Sequence, residues 1–131
     1  MGTSRIKSQS EQRLIVEGRV NGKAACFLVD TGASVGFLDY DKRKEYGLSV
    51  GRWFEGSIVG AGGEVRNVRH CDTFVHIEDR VIPQFLLADI GGVVKSIERE
   101  TGIEIIGIIS LPQMKLIGMN IDANSNEFWF E

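Results

Sequence analysis

Residues 13–20, Arg-Leu-Ile-Val-Glu-Gly-Arg-Val, are rich in β-branched side chains and predict a strand. Asn21-Gly22 follows, the residue pair that a two-residue hairpin turn with positive φ at both positions selects. The return strand is expected over 23–29, and it runs directly into Asp30-Thr31-Gly32-Ala33-Ser34. Phe37-Leu38 reads as a short strand end, and 39–46 as a short helix stopped by Gly47. Two strands, 53–60 and 63–69, flank the glycine-rich tip Gly60-Ala61-Gly62-Gly63. A second pair is expected over 71–78 and 81–88, joined near Glu78-Asp79. Val93, Val94 and Ile97 have helical spacing within 93–100, and Gly102 stops that helix. Residues 103–109 are nearly all β-branched and predict a buried strand. Ser110 then caps a helix with Pro112 in its first turn. A last hairpin runs from Asn120 to Phe130 around Asn124-Ser125-Asn126. Residues 1–12 are polar and are expected to be a flexible tail, which leaves 13–131 as one domain. The sequence has no internal repeat and no low-complexity segment.

Composition narrows the class. Of 131 residues, 43% are apolar and 25% charged, a globular balance that excludes wholesale disorder. Sixteen glycines, about 12% against a usual ~7%, beside only two prolines imply many tight turns and a mostly β fold. The 15 Lys and Arg against 18 Asp and Glu leave −3, without the basic surplus that nucleic-acid binding needs. No run of 18 apolar residues is present, so no transmembrane helix and no membrane partner is expected. The polar start lacks the apolar stretch of a signal peptide, and the expectation is a cytoplasmic location. Cys26 and Cys71 are too few for a disulfide framework and read as reduced, packed thiols.

Asp30 is where chemistry can sit. A carboxylate at the buried end of an apolar strand is partly desolvated and needs hydrogen bonds to stay ionised. Gly32 lets the backbone turn sharply beside it, and Thr31 offers a hydroxyl that can be tied down. The bland alternative is an aspartate that simply opens a turn. His70 and Cys71 are adjacent and face opposite sides of a strand, so they do not converge as nucleophile and base. His76 stands alone, and no spacing supplies the three or four ligands of a zinc site, so no metal is expected. Gly60-Ala61-Gly62-Gly63 lacks the Gly-Lys-Ser/Thr of a phosphate loop.

The loop Asp30-Thr31-Gly32 after an Asn-Gly hairpin resembles the active-site loop of the retroviral-like aspartic proteases, the retropepsins. Residues 57–65 resemble that family's glycine-tipped flap. Ile105-Ile106-Gly107 resembles its apolar-apolar-Gly segment, followed in family order by a helix and a final strand pair. The resemblance covers about 13–131 and implies an all-β, retropepsin-like barrel, closed or partly open, with one to three short helices and one lobe per chain. It implies peptide hydrolysis by two carboxylates around one water, without a cofactor. This chain has one such loop, so the implied active form is a homodimer in which Asp30 of each copy meets on a two-fold axis. The implied site is catalytic Asp30, Thr31 and Gly32. Ala33, Ser34 and the flap residues Ile58, Val59, Gly60, Ala61, Gly62 and Gly63 touch a peptide substrate, and Ile105, Ile106 and Gly107 pack beneath the loop. Two departures stand out. Ile108-Ile109-Ser110 follows Gly107 where relatives carry an acidic or amide residue, and about three extra residues precede the last strands. Phe128-Trp129-Phe130 is too apolar for an exposed edge, so the C-terminal strand is expected to help build the dimer contact. A rival reading is a catalytically silent retropepsin-like module that dimerises or binds peptides.

Overall fold

The computed structural model describes residues 4–60, 63–65 and 67–131. Strand β1 is Ile6–Lys7, and β2 (Ile15–Val20) and β3 (Lys23–Asp30) form the expected hairpin. Its turn has φ of 51° at Asn21 and 81° at Gly22, as a type I′ turn requires. The Asn21 side-chain amide also donates to the carbonyls of Tyr46 and Gly47, tying the turn to the next helix. β4 (Gly36–Asp39) leads through a single 3₁₀ turn into α1 (Arg43–Tyr46), which ends at Gly47 with φ 64°. β5 (Val59–Gly60) and β6 (Gly63–Glu64) make a small hairpin, followed by β7 (Arg69–His70), β8 (Val75–Ile77), β9 (Arg80–Ile82) and β10 (Phe85–Ala88). Then come α2 (Gly91–Thr101), β11 (Ile105–Ser110), α3 (Leu111–Ile117), β12 (Met119–Asp122) and β13 (Glu127–Phe130).

Eight strands form one sheet in the order β7-β10-β4-β11-β3-β2-β8-β9. β11 lies between β3, to which it is parallel, and β4, to which it is antiparallel. A strand flanked on both sides and covered on both faces is apolar throughout, and all six residues of β11 are buried. One apolar cluster holds Phe27, Leu38, Leu87, Ile106, Ile109, Met114 and Phe128. A second holds Ile15, Phe37, Ala88, Val94, Ile97, Ile105 and Ile108, with α2 packed into it. Neighbours along β3, β4 and β10 divide between the two clusters, as the period of two demands. β11 departs from strict alternation because its register to β3 shifts between Ile105 and Gly107, which inserts one extra residue.

Three expectations need correction. Residues 4–12 are packed against the domain rather than free as a tail. β1 pairs with β13, Ile6 opposite Phe128, and buried Ser8 accepts a hydrogen bond from the Ile15 amide and donates to the Arg13 carbonyl. The expected pair 71–78 and 81–88 is shorter: β8 pairs with β9, and the chain then turns through Pro83 and Gln84 (φ 69°) to lay β10 parallel to β4. The C-terminal strand is the middle strand of a second sheet, β1-β13-β12, with Phe128 and Phe130 buried by their own chain. β13 is therefore not an exposed edge, and two of its three aromatic side chains are buried within one copy, with Trp129 half-buried.

Candidate active site

β3 delivers Asp30 at its last position, half-buried, and the chain turns at once. The Asp30 carboxylate accepts a hydrogen bond from the Gly32 amide at 2.9 Å, and its carbonyl accepts from the Ala33 amide at 3.1 Å. A Cβ at position 32 would lie 3.3 Å from the same carboxylate oxygen, so glycine keeps the backbone close to the charge. From the other side the Leu111 amide donates to the Ala33 carbonyl at 3.1 Å, which fastens the loop to the start of α3. Thr31, Gly32 and Ser34 are exposed, and Ala33 is half-buried against the second apolar cluster. A half-buried carboxylate that accepts a backbone N–H and faces outward can act as a base toward a water or a ligand.

The glycine-tipped hairpin forms on the side of that cluster. Val59 lies opposite Glu64 and Gly60 opposite Gly63, and the Val65 amide donates to the Ile58 carbonyl at 2.9 Å. Ile58 and Val65 pack against the cluster that also receives Ala33 and Val35, so the hairpin base and the Asp30 loop share one apolar support. Ala61 and Gly62, expected at the tip, lie outside the described residues, as does Arg66. Of the longer strands expected here, the described residues beyond the hairpin form the short β7 and an isolated bridge between Trp53 and Arg69, with the Arg69 guanidinium 3.8 Å from the indole centre. His70 turns to Glu55, Nε2 to Oε1 3.0 Å, whereas Cys71 is buried beside Ser49, so the two do not converge. His70 and Arg52 together hold the Glu55 carboxyl below its usual range.

The apolar segment beside the loop is displaced from where the sequence suggests. Ile105-Ile106-Gly107 sits too early on β11: Gly107 is opposite Phe27 of β3 and Leu38 of β4. Its missing side chain serves the core, because a Cβ there would come within 2.6 Å of the Phe37 carbonyl oxygen. The residue opposite Asp30 is Ser110, so Ile108-Ile109-Ser110 is the stretch that runs beside the loop. The signal was present in the sequence. Ile-Ile-small occurs twice in succession, and a shift of three residues removes the excess length after Gly107. Ser110 and Gln113, both buried, form a reciprocal cap at this junction.

At the far end of β4, Asp39 is 2% exposed and accepts from the Asp41 amide at 3.2 Å, capping the 3₁₀ turn. Its carboxyl is pushed up from the usual range, first by burial and further by the charges of Asp41 and Asp89.

The aspartyl protease family, compared by sequence, matches residues 16–112. No curated protein matches the chain by sequence. Among solved structures, the fold is similar to the EIAV protease in complex with the inhibitor HBY-793, at 20% identity and a TM-score of 0.64, covering 89% of this chain and 99% of that one. It is also similar to the retroviral protease-like domain of Ddi1 from Leishmania major, at 22% identity and a TM-score of 0.61, covering 91% and 88%. These likenesses make the curled sheet and its short helices a retropepsin-like fold. The matched span begins on β2 and ends in the first turn of α3, so it takes in the Asp30 loop, the hairpin and β11, and the chain belongs to the aspartyl protease family.

Proposed function

We propose that the protein is an aspartic endopeptidase that acts as a homodimer. The observation that carries this reading is a single outward-facing Asp30-Thr31-Gly32 loop, held by its own backbone bonds and by Leu111, on a chain with one lobe. The reaction needs two carboxylates about one water, one ionised and one protonated. One chain supplies one, so the second is Asp30 of the partner subunit across a two-fold axis. The ionised carboxylate takes a proton from the water as its oxygen attacks the scissile carbonyl carbon. The protonated one gives its proton to the carbonyl oxygen. Collapse of the tetrahedral adduct breaks the C–N bond, and the nitrogen leaves with a proton from the dyad. Thr31 braces the two loops, and Ala33, Ser34 and the hairpin at 58–63 border an extended peptide. The hairpin closes over that peptide and excludes bulk water.

The test is digestion of a mixed peptide library by the wild-type chain and by Asp30→Asn, with sedimentation of both. Cleavage by wild type alone, from a dimer, is expected. Full activity of a monomer under dilution overturns the shared dyad. A dimer that binds peptides and cleaves none establishes the silent module instead.

A further inference from the structure

Gln113 is 2% exposed on a short helix, and a buried primary amide is costly unless its hydrogen bonds are made. Its carbonyl oxygen accepts from the Ser110 amide at 2.9 Å and from the Ser110 hydroxyl at 3.0 Å. Its amide nitrogen donates to the Pro83 carbonyl at 2.8 Å. The amide also lies against Gly36, where a Cβ would fall 2.0 Å from its oxygen. One side chain therefore joins the β11–α3 junction, the approach to β10 and the first residue of β4. Capping boxes serve a helix end. This one occupies the place where a sheet ladder stops, since β11 pairs with β4 at Gly107 and Ile108 but with β3 as far as Ser110 opposite Asp30. Beyond Ile108, the Gln113 amide fills the gap between β11 and the start of β4.

Both ends of the catalytic loop meet this wedge. Ser110 sits opposite Asp30, Leu111 binds the Ala33 carbonyl, and Gly36 lies two residues after Ser34. We propose that Gln113 is a positioning residue that sets the height and direction of the Asp30 loop through Ser110, Leu111 and Gly36. The kinetic part of this role rests on the peptidase reading, and the geometric part does not.

The experiment compares Gln113→Leu, Gln113→Glu and Ser110→Ala by peptide kinetics and by amide hydrogen exchange, both normalised to the folded fraction. Gln113→Leu is expected to lower kcat about tenfold to a hundredfold, because small misplacements of a reacting group cost that much. KM should stay within about twofold, because the residues that border the peptide are untouched. Exchange should quicken at Gly32, Ala33 and Leu111 and stay unchanged across the β2–β3 ladder. Gln113→Glu keeps an acceptor for Ser110 and, when protonated, a donor for Pro83, so its kcat relative to wild type should recover as pH falls. If Gln113→Leu does not fold, Ser110→Ala and the acid recovery of Gln113→Glu carry the test. A wild type that cleaves and a folded Gln113 variant with unchanged kcat and unchanged loop exchange overturn the inference. A wild type that never cleaves, with quickened loop exchange in the variant, overturns the peptidase reading and supports the positioning role.

Discussion

The C-terminal strand and the Asp30 loop behave in opposite ways. Phe128-Trp129-Phe130 is strongly apolar, yet β1 and β12 flank it and leave Phe128 fully buried and Phe130 nearly so. The Asp30 loop is small and polar, yet Thr31, Gly32 and Ser34 stay open to solvent. An apolar strand finds cover within its own chain when a neighbour of matching length exists, and here Met119–Asp122 provides it, with the shorter Ile6–Lys7 on the other side. In the proposed reaction a second copy is called for by chemistry instead, because hydrolysis uses two carboxylates and this loop supplies one. Burial of apolar area and demand for a partner are separate signals.

Four substitutions break or sharpen that contrast. The largest effect belongs to Asp30→Asn, which should lower peptide cleavage by ~10³-fold or more while leaving the thermal midpoint in place. A cleaving Asn variant removes the loop from the chemistry. Next is Phe128→Ala, expected to destabilise the fold by about 3–5 kcal/mol in a denaturant titration, as loss of a fully buried aromatic does. A Phe128→Ala protein of normal stability that sediments as a monomer would return the C-terminal strand to the interface. Gly107→Ala should cost about 1–3 kcal/mol by pressing a methyl on the Phe37 carbonyl, with kcat per folded molecule unchanged. A fall in kcat at unchanged stability would mean that Gly107, and not Ser110, supports the loop.

The smallest effect concerns the other carboxylate near a strand end. Burial raises the folded-state value of Asp39 above its ordinary 3.8. A raised carboxyl favours folding when protonated, and that contribution is lost as pH rises through the folded value. Asn can accept the same Asp41 amide bond without the charge, so Asp39→Asn should raise the thermal midpoint by a few degrees at neutral pH. The gain should vanish as pH falls toward 3.8, and a gain that persists there would locate its origin elsewhere.

Much of this architecture is legible where local chemistry decides it. Asn21-Gly22 dictates its turn, Gly47 and Gly102 stop their helices with positive φ, and Ser110 caps α3. The Asp30 loop is readable for the same reason, since Gly32 answers to the carboxylate two residues away. What escapes is decided at long range. Residues 4–12 look like a tail because a polar stretch with Ile6 as its one apolar residue carries no mark of pairing with a strand more than a hundred residues later. Strand β10 reads as the continuation of β9 until Pro83 and Gln84 send it to the opposite part of the sheet. The three-residue misplacement on β11 has the same origin: Ile105-Ile106-Gly107 and Ile108-Ile109-Ser110 are locally equivalent, and only the partner strand tells them apart.

The insertion of β11 between β3 and β4 also dictates when the site can exist. Ala33 has no partner for its carbonyl until Leu111 arrives, and β3 and β4 have no strand between them until residues 105–110 are made. Pairings of such sequence separation form late, after the entropy of closing a long loop has been overcome. During synthesis the Asp30 segment leaves the ribosome well before β11 and lacks that neighbour until β11 follows. Nascent chains stalled before residue 105 should show only the weak protection of a local turn at the Ala33 amide, whereas chains that expose residue 118 and beyond should show stronger protection there. Until β11 and the start of α3 are in place, the topology leaves the Asp30 loop without its native support.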